Sequence, residues 1–179
     1  MHHFTLKSPG EVAAALARRP FTYLVARHPY QRLVSAFLDF STRLANKHRP
    51  IVKLAMAGFP AFLRAAVLGG NVSCSDSWCV SPNNPHWRPI EAFCLPCVIN
   101  YTVISSMETF AEDFTRIAGR LGVEVAVRAE HVHGGAGIEQ LTREHLEGLP
   151  QEVRAGLEQR YEYDLHMFGN IKDIHNVFF

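Results

Sequence analysis

The segment 21–40, FTYLVARHPYQRLVSAFLDF, limits the fold of this chain more than any other, because it reads as a strand, a sharp turn and an amphipathic helix in immediate succession. FTYLVA is aromatic and β-branched, the composition of a buried strand. Pro29 stands where a helix takes its first residue, with φ already set. Leu33, Val34, Phe37 and Leu44 then repeat at helical spacing as one apolar stripe. A strand that feeds directly into a helix is the unit of an α/β fold. The same unit leaves Arg27 at the mouth of the helix. Ser35 follows His28 by two helical turns on one face. A guanidinium, a hydroxyl and the unpaired amides of a helix amino end suit a single anion, and a phosphate fits that geometry.

The rest of the chain continues the helix and strand rhythm. Ser8 and Glu11 form a capping box with Pro9 at the first helical position, which predicts a helix over 9–18. A short helix is expected over 59–68, closed by Gly69 and Gly70, and a long Ser-, Asn- and Pro-rich loop over 71–89. Residues 98–104 read as a second strand. Thr109 and Glu112 make a second capping box, opening a helix with the stripe Phe110, Phe114, Ile117 and Leu121 that Gly122 can end. A third strand is expected over 123–127, a glycine-rich loop over 131–138, and helices over 142–147 and 150–161.

With 179 residues, 47% apolar content and a formal net charge of +1, the sequence suits a single domain, 1–179, with one core. Near-neutrality argues against bulk electrostatic capture of nucleic acid. No apolar stretch has the length of a membrane anchor or a secretory leader. An anionic glycan would need a local basic groove, and Arg43, Lys47, His48, Arg49 and Lys53 are the candidates, against a merely solvated face.

Three separated blocks carry a family resemblance. VARHPYQRLVSAF resembles the 3′-phosphate-binding motif of the Golgi carbohydrate sulfotransferases of chondroitin, dermatan and HNK-1 type, whose pattern is V-R-(H/D/E)-P-(F/Y)-x-R-L-(V/I/L)-S-A-(F/Y), with Ala26 in place of the usual Val. HWRPIEAFCLPCVINYTVISSMETFAEDFTRIAGRLGV, from His86 to Val123, is similar to the family block that opens on HW and runs through CxPC and an E-T pair. YEYDLHMFG, from Tyr161 to Gly169, resembles the closing Y-x-x-D-x-x-x-F signature.

The resemblance implies a PAPS-binding, P-loop-type parallel sheet flanked by helices, with Arg27 and Ser35 on the 3′-phosphate of the sulfate donor PAPS or its product PAP. It implies sulfuryl transfer to a glycan hydroxyl in the Golgi lumen without a metal. A catalytic base is expected upstream of the phosphate-binding Arg, which selects His3, since His suits proton removal near neutral pH. His86 and Trp87 are expected at the acceptor, Trp offering a flat apolar face to a sugar ring. Arg32 either faces the nucleotide or is a solvated helix residue. Glu108 and Asp113 match acidic family positions, with structural roles expected. His131 and His133 are expected in a surface loop. The family's basic loop of type R-x-P-K-V-(G/A)-(C/S)-(T/S), which grips the 5′-phosphosulfate, has no counterpart before Phe21, nor has an anchor. The sheet is therefore expected to be incomplete at its amino-terminal side, and a catalytically inactive PAP- or glycan-binding paralogue, or a fragment, is the alternative.

The four cysteines, Cys74, Cys79, Cys94 and Cys97, cluster in one part of the chain. Two disulfides in an oxidising lumen or one structural zinc in a reducing compartment both account for them, the second making a small zinc-stabilised interaction module. The resemblance to a CxPC-containing Golgi family favours disulfides. Of the sequons at Asn71 and Asn100, only Asn71 is expected to be usable, because Asn100 falls in the predicted strand.

Overall fold

The computed structural model describes residues 21–69, 78–124 and 136–169, together with Gly10, Ala14 and Ala17, which are helical. Strand β1 (Tyr23–Ala26) leads into α1 (Pro29–Thr42). After a 3-10 turn at Leu44–Asn46 come α2 (Pro50–Met56) and α3 (Phe59–Phe62), the latter continued by a π-helical turn, Leu63–Val67. Then follow α4 (Ile90–Cys94), β2 (Val103–Ser106) and α5 (Phe110–Arg120). Helices α6 (Ala136–Glu147), α7 (Gln151–Arg160) and α8 (Glu162–Phe168) complete the described chain.

The two strands are parallel, with Tyr23 opposite Val103 and Ala26 opposite Ser106. This is the small parallel sheet flanked by helices that the α/β pattern predicts. The second strand starts later than expected. A helix over 90–94 precedes it, and Leu95, held at φ 52°, turns the chain while the Val98 and Ile99 amides donate back to its carbonyl, so 98–102 do not join the strand. Val98 is consequently 75% exposed rather than part of a strand. Asn100 is also exposed and lies outside the strand, so the Asn100 sequon is a surface one, contrary to expectation. Val123 and Glu124 are not in a strand, and residues 125–127 of the predicted third strand lie outside the described residues.

Most of the apolar residues close over α1. Leu33, Val34, Phe37 and Phe40 pack against Ile51 and Val52 of α2, Phe59, Phe62, Leu63 and Val67, and Val153 and Leu157 of α7. Leu44 was expected to extend this stripe but is 63% exposed. The helix stops at Thr42, where the Ser41 and Thr42 hydroxyls donate back to the Leu38 carbonyl, and the chain turns away. A smaller cluster of Leu24, Ala26, Ile90 and Phe168 lies beneath the sheet strand.

Local chemistry sets several boundaries. The Val123 amide donates to Ala118 O and the Gly122 amide to Gly119 O, closing α5 with Gly122 at φ 67°, a conformation glycine adopts without a Cβ penalty. At the other end of α5 the capping box does not form. Thr109 Oγ1 donates instead to Asp113 Oδ2 at 2.6 Å, one turn on, and Asp113 is buried. Gly69 follows the π-helical turn where a Cβ would meet Ala65 O at 2.4 Å, so no larger residue fits there.

Candidate functional site

The carboxyl ends of β1 and β2 open onto one edge of the sheet, and both following helices begin there. The Met107 amide donates to Ala26 O at 2.9 Å, which ties the turn after β1 to the turn after β2. Ligands of open parallel sheets bind at this edge, and two helix amino ends facing it favour an anion.

His28 caps α1. Its Nδ1 accepts from the Tyr30 amide at 3.2 Å, and its carbonyl accepts from the Arg32 amide at 3.0 Å. Accepting through Nδ1 leaves the neutral ring's proton on Nε2. Burial pushes the His28 pKa below the usual value, opposed by the charges of Glu108 and Glu139. Arg27, half-buried at the same turn, has its pKa lowered by burial and partly restored by Glu108. Exposed Glu108, in the turn after β2, thus balances the cation across the mouth of the site. Tyr30 is pushed up to about 12 by burial and stays a neutral phenol.

Ser35 is half-buried on α1. Gln31, one turn earlier on the same face, carries a buried Oε1 with no hydrogen-bond partner among the described residues. The motif treats this position as variable, so sequence reasoning passed over Gln31. In the turn after β2, Ser106 Oγ accepts from the Thr109 amide at 3.2 Å, and Tyr23 and Ser105 share a hydroxyl hydrogen bond between the strands. These contacts fix the second turn.

Several expected site residues have other tasks. Arg32 is directed to Arg88 and Asp164 and is not a solvated helix residue: its Nη2 donates to Arg88 O and lies 3.9 Å from Asp164 Oδ2, and burial lowers its pKa. Trp87 is fully buried and offers no face to a sugar. Its Nε1–H donates to both Ala66 O at 3.0 Å and Ser81 O at 2.9 Å, which makes it a core anchor for the loop before α4. His86 is on the surface, with its ring edge-on to Phe40 at 5.3 Å. Phe40 sits twelve residues after His28 on α1, or roughly 18 Å along the axis at 1.5 Å per residue, so His86 belongs to the far end of the helix.

The tail signature is explained by what it holds. Tyr161 Oη donates to Trp87 O, and fully buried Asp164 accepts the Ile90 and Glu91 amides at 2.7 and 2.8 Å. Those amides open α4, whose own N-cap position is Pro89 and supplies no side-chain acceptor. The Y-x-x-D tail therefore caps the helix of the HW block from a distance.

The cysteines divide differently from the two-disulfide expectation. Cys79 is disulfide-bonded, whereas Cys94 and Cys97 are free thiols, so no bridge joins the two clusters through them. Cys94 ends α4, half-buried against the small cluster, with its thiol pKa raised by burial, and Cys97 is exposed beyond the Leu95 turn. Among the described residues no group of three or more His, Cys, Asp or Glu side chains converges, and no helix is long and apolar enough to cross a membrane. His3, Asn71, Cys74, His131 and His133 lie outside the described residues.

A strand, an Arg-His-Pro turn and a Ser-bearing helix meet at the open edge of the parallel sheet of this α/β protein. The chain belongs to the sulfotransferase family, whose profile matches residues 2–169. It is 24% identical to carbohydrate sulfotransferase 12 of Mus musculus over 164 residues, covering 82% of this chain and 39% of that protein. It is 24% identical to carbohydrate sulfotransferase 11 of Rattus norvegicus over 161 residues, covering 82% and 46%. With carbohydrate sulfotransferase 14 of Danio rerio it shares 26% identity over 175 residues, covering 90% and 46%. The chain thus spans less than half the length of these relatives. No solved structure matches significantly.

Proposed function

We propose that this chain contributes the donor-binding part of an enzyme that moves a sulfuryl group from PAPS to a hydroxyl of a glycan, in the Golgi lumen. The observation that carries this reading is the placement of half-buried Arg27 at the amino end of α1, on the open edge of the parallel sheet. Arg27 and Ser35 would hold the 3′-phosphate of PAPS or PAP, assisted by the first amides of α1. Glu108, exposed at the rim, partly offsets the effect of burial on the Arg27 charge.

In the reaction, the acceptor oxygen forms a new bond to sulfur while the bond from sulfur to the 5′-phosphate oxygen breaks, and PAP leaves with that oxygen's electron pair. The acceptor's proton passes to a base, for which His3 is the proposed group. The relatives' names specify carbohydrate, and a glycan acceptor is proposed here on that likeness. Because no 5′-phosphosulfate loop occurs among these 179 residues, nucleotide binding is a more direct test than turnover. Calorimetric titration should show binding of PAP and at least tenfold weaker binding of adenosine 5′-phosphate, which lacks the 3′-phosphate. Equal affinity for the two would refute a 3′-phosphate site.

A further inference from the structure

The turn that leads into β2 carries a feature that the donor site does not use. Asn100, Tyr101 and Thr102 form the sequon N-Y-T, and Asn100 is exposed, ahead of the strand that begins at Val103. The Asn100 carbonyl accepts from Thr22 Oγ1 at 3.1 Å, and half-buried Tyr101 donates its hydroxyl to Cys94 O at 2.7 Å. The backbone is thus held on both sides of the sequon. The Asn100 carboxamide itself makes no hydrogen bond among the described residues and is left to solvent.

The same turn exposes apolar surface. Phe93 is 55% exposed, Leu95 36% and Val98 75%, and the exposed free thiol of Cys97 stands between the last two in sequence. Large apolar side chains gathered on one exposed turn mark a surface that is covered in use. An oligosaccharide is bulky and strongly hydrated, and one attached beside such a turn covers it without a partner protein.

We infer that Asn100 carries an N-linked oligosaccharide, and that this glycan shields the apolar turn at 93–98. The inference rests on the luminal placement proposed above. In the transfer, Asn100 Nδ2 bonds to the anomeric carbon of a lipid diphosphate-linked oligosaccharide, the co-reactant of the secretory pathway. The bond from that carbon to the diphosphate oxygen breaks, the lipid diphosphate leaves with the electron pair, and the amide gives up one proton. The sequon hydroxyl sets the timing. Thr102 Oγ1 accepts the Thr22 amide at 3.1 Å, and the Thr102 amide donates to Thr22 Oγ1 at 2.9 Å. That hydroxyl is engaged once β1 and β2 pair, so transfer precedes this long-range pairing. Strand β2 separates Asn100 from the carboxyl edge of the sheet by roughly 10 Å, at about 3.3 Å per residue, so the glycan leaves the donor edge open.

The test expresses the full chain behind a cleavable secretory signal in a mammalian cell line, so that the site is read whatever route the native chain takes. Chain recovered from the secretory pathway, secreted or retained, is treated with peptide N-glycosidase in heavy-oxygen water, which converts a glycosylated Asn to labelled Asp. Peptide mapping should find the label at Asn100 in most chains. Asn100→Gln should remove the mass of one glycan, Thr102→Ser should keep it and Thr102→Val should lose it. Folded Asn100→Gln protein should bind anilinonaphthalene sulfonate about twofold more than the parent and alkylate Cys97 severalfold faster. An unlabelled Asn100, or dye binding and thiol reactivity unmoved by its substitution, would overturn the inference. Titration of the same preparations with PAP keeps the two readings apart. Labelled Asn100 without PAP binding counts against the donor site alone, and PAP binding with unlabelled Asn100 counts against the glycan alone.

Discussion

Replacing Asp164 with Ala should cost this chain a large share of its stability without touching the donor site. Asp164 is fully buried and accepts two backbone amides, Ile90 at 2.7 Å and Glu91 at 2.8 Å. Hydrogen bonds to a charged partner contribute about 1.5–3 kcal/mol each, and the Ile90 amide would be left buried with no acceptor. The Arg32 guanidinium, 3.9 Å away and mostly shielded, would also lose its nearest carboxylate. Together these give an expected loss of about 3–5 kcal/mol, against a usual domain stability of about 5–15 kcal/mol. Asp164→Asn, which retains one acceptor oxygen, should cost roughly half as much. Urea unfolding of the parent, Asp164→Ala, Arg32→Ala and the double variant reads this out, with the m-value expected to hold. The account attributes most of the loss to the two amides. A loss under about 1 kcal/mol, or an Arg32–Asp164 coupling that accounts for most of it, would refute that reasoning.

Two further outcomes are expected. His28 has its folded pKa lowered by burial, so its neutral cap contributes fully above the ordinary value near 6.5 and is lost as pH falls from there toward the folded pKa; His28→Asn, which caps without titrating, should flatten stability between pH 7.5 and pH 5, and an unchanged pH profile would count against the cap. Alkylation of native protein should modify two cysteines, exposed Cys97 ahead of Cys94, whose thiol is half-buried and raised in pKa; four protected cysteines by mass spectrometry would contradict the free thiols.

What the sequence made legible was local. Pro29 at the first helical position, Leu33, Val34 and Phe37 of the α1 stripe and the Gly122 terminus depend on a few neighbouring residues, and each is found where the pattern puts it. What it concealed was long-range. Trp87 looks like a surface sugar platform until the Ala66 and Ser81 carbonyls are brought to its indole N–H. Arg32 looks like an ordinary helix cation, yet it is sequestered by Arg88 O and Asp164. The Tyr161 and Asp164 spacing was visible as a signature, but its reason, holding Trp87 O and capping α4, requires a helix more than seventy residues earlier in the chain. Near boundaries, competing side-chain bonds decided the outcome. Thr109 chose Asp113 over a capping box with Glu112, and Thr42 ended α1 before Leu44 could join the core.

The central claim, that Arg27 and Ser35 hold a 3′-phosphate, is tested most directly by calorimetric titration of PAP against the parent, Arg27→Ala and Ser35→Ala. The account predicts that Arg27→Ala weakens PAP by about 2–4 kcal/mol and Ser35→Ala by about 1 kcal/mol, the ranges for a charged and a neutral partner. It predicts as well that Arg27→Ala erases the preference for PAP over adenosine 5′-phosphate. Undiminished PAP affinity in both variants would contradict it.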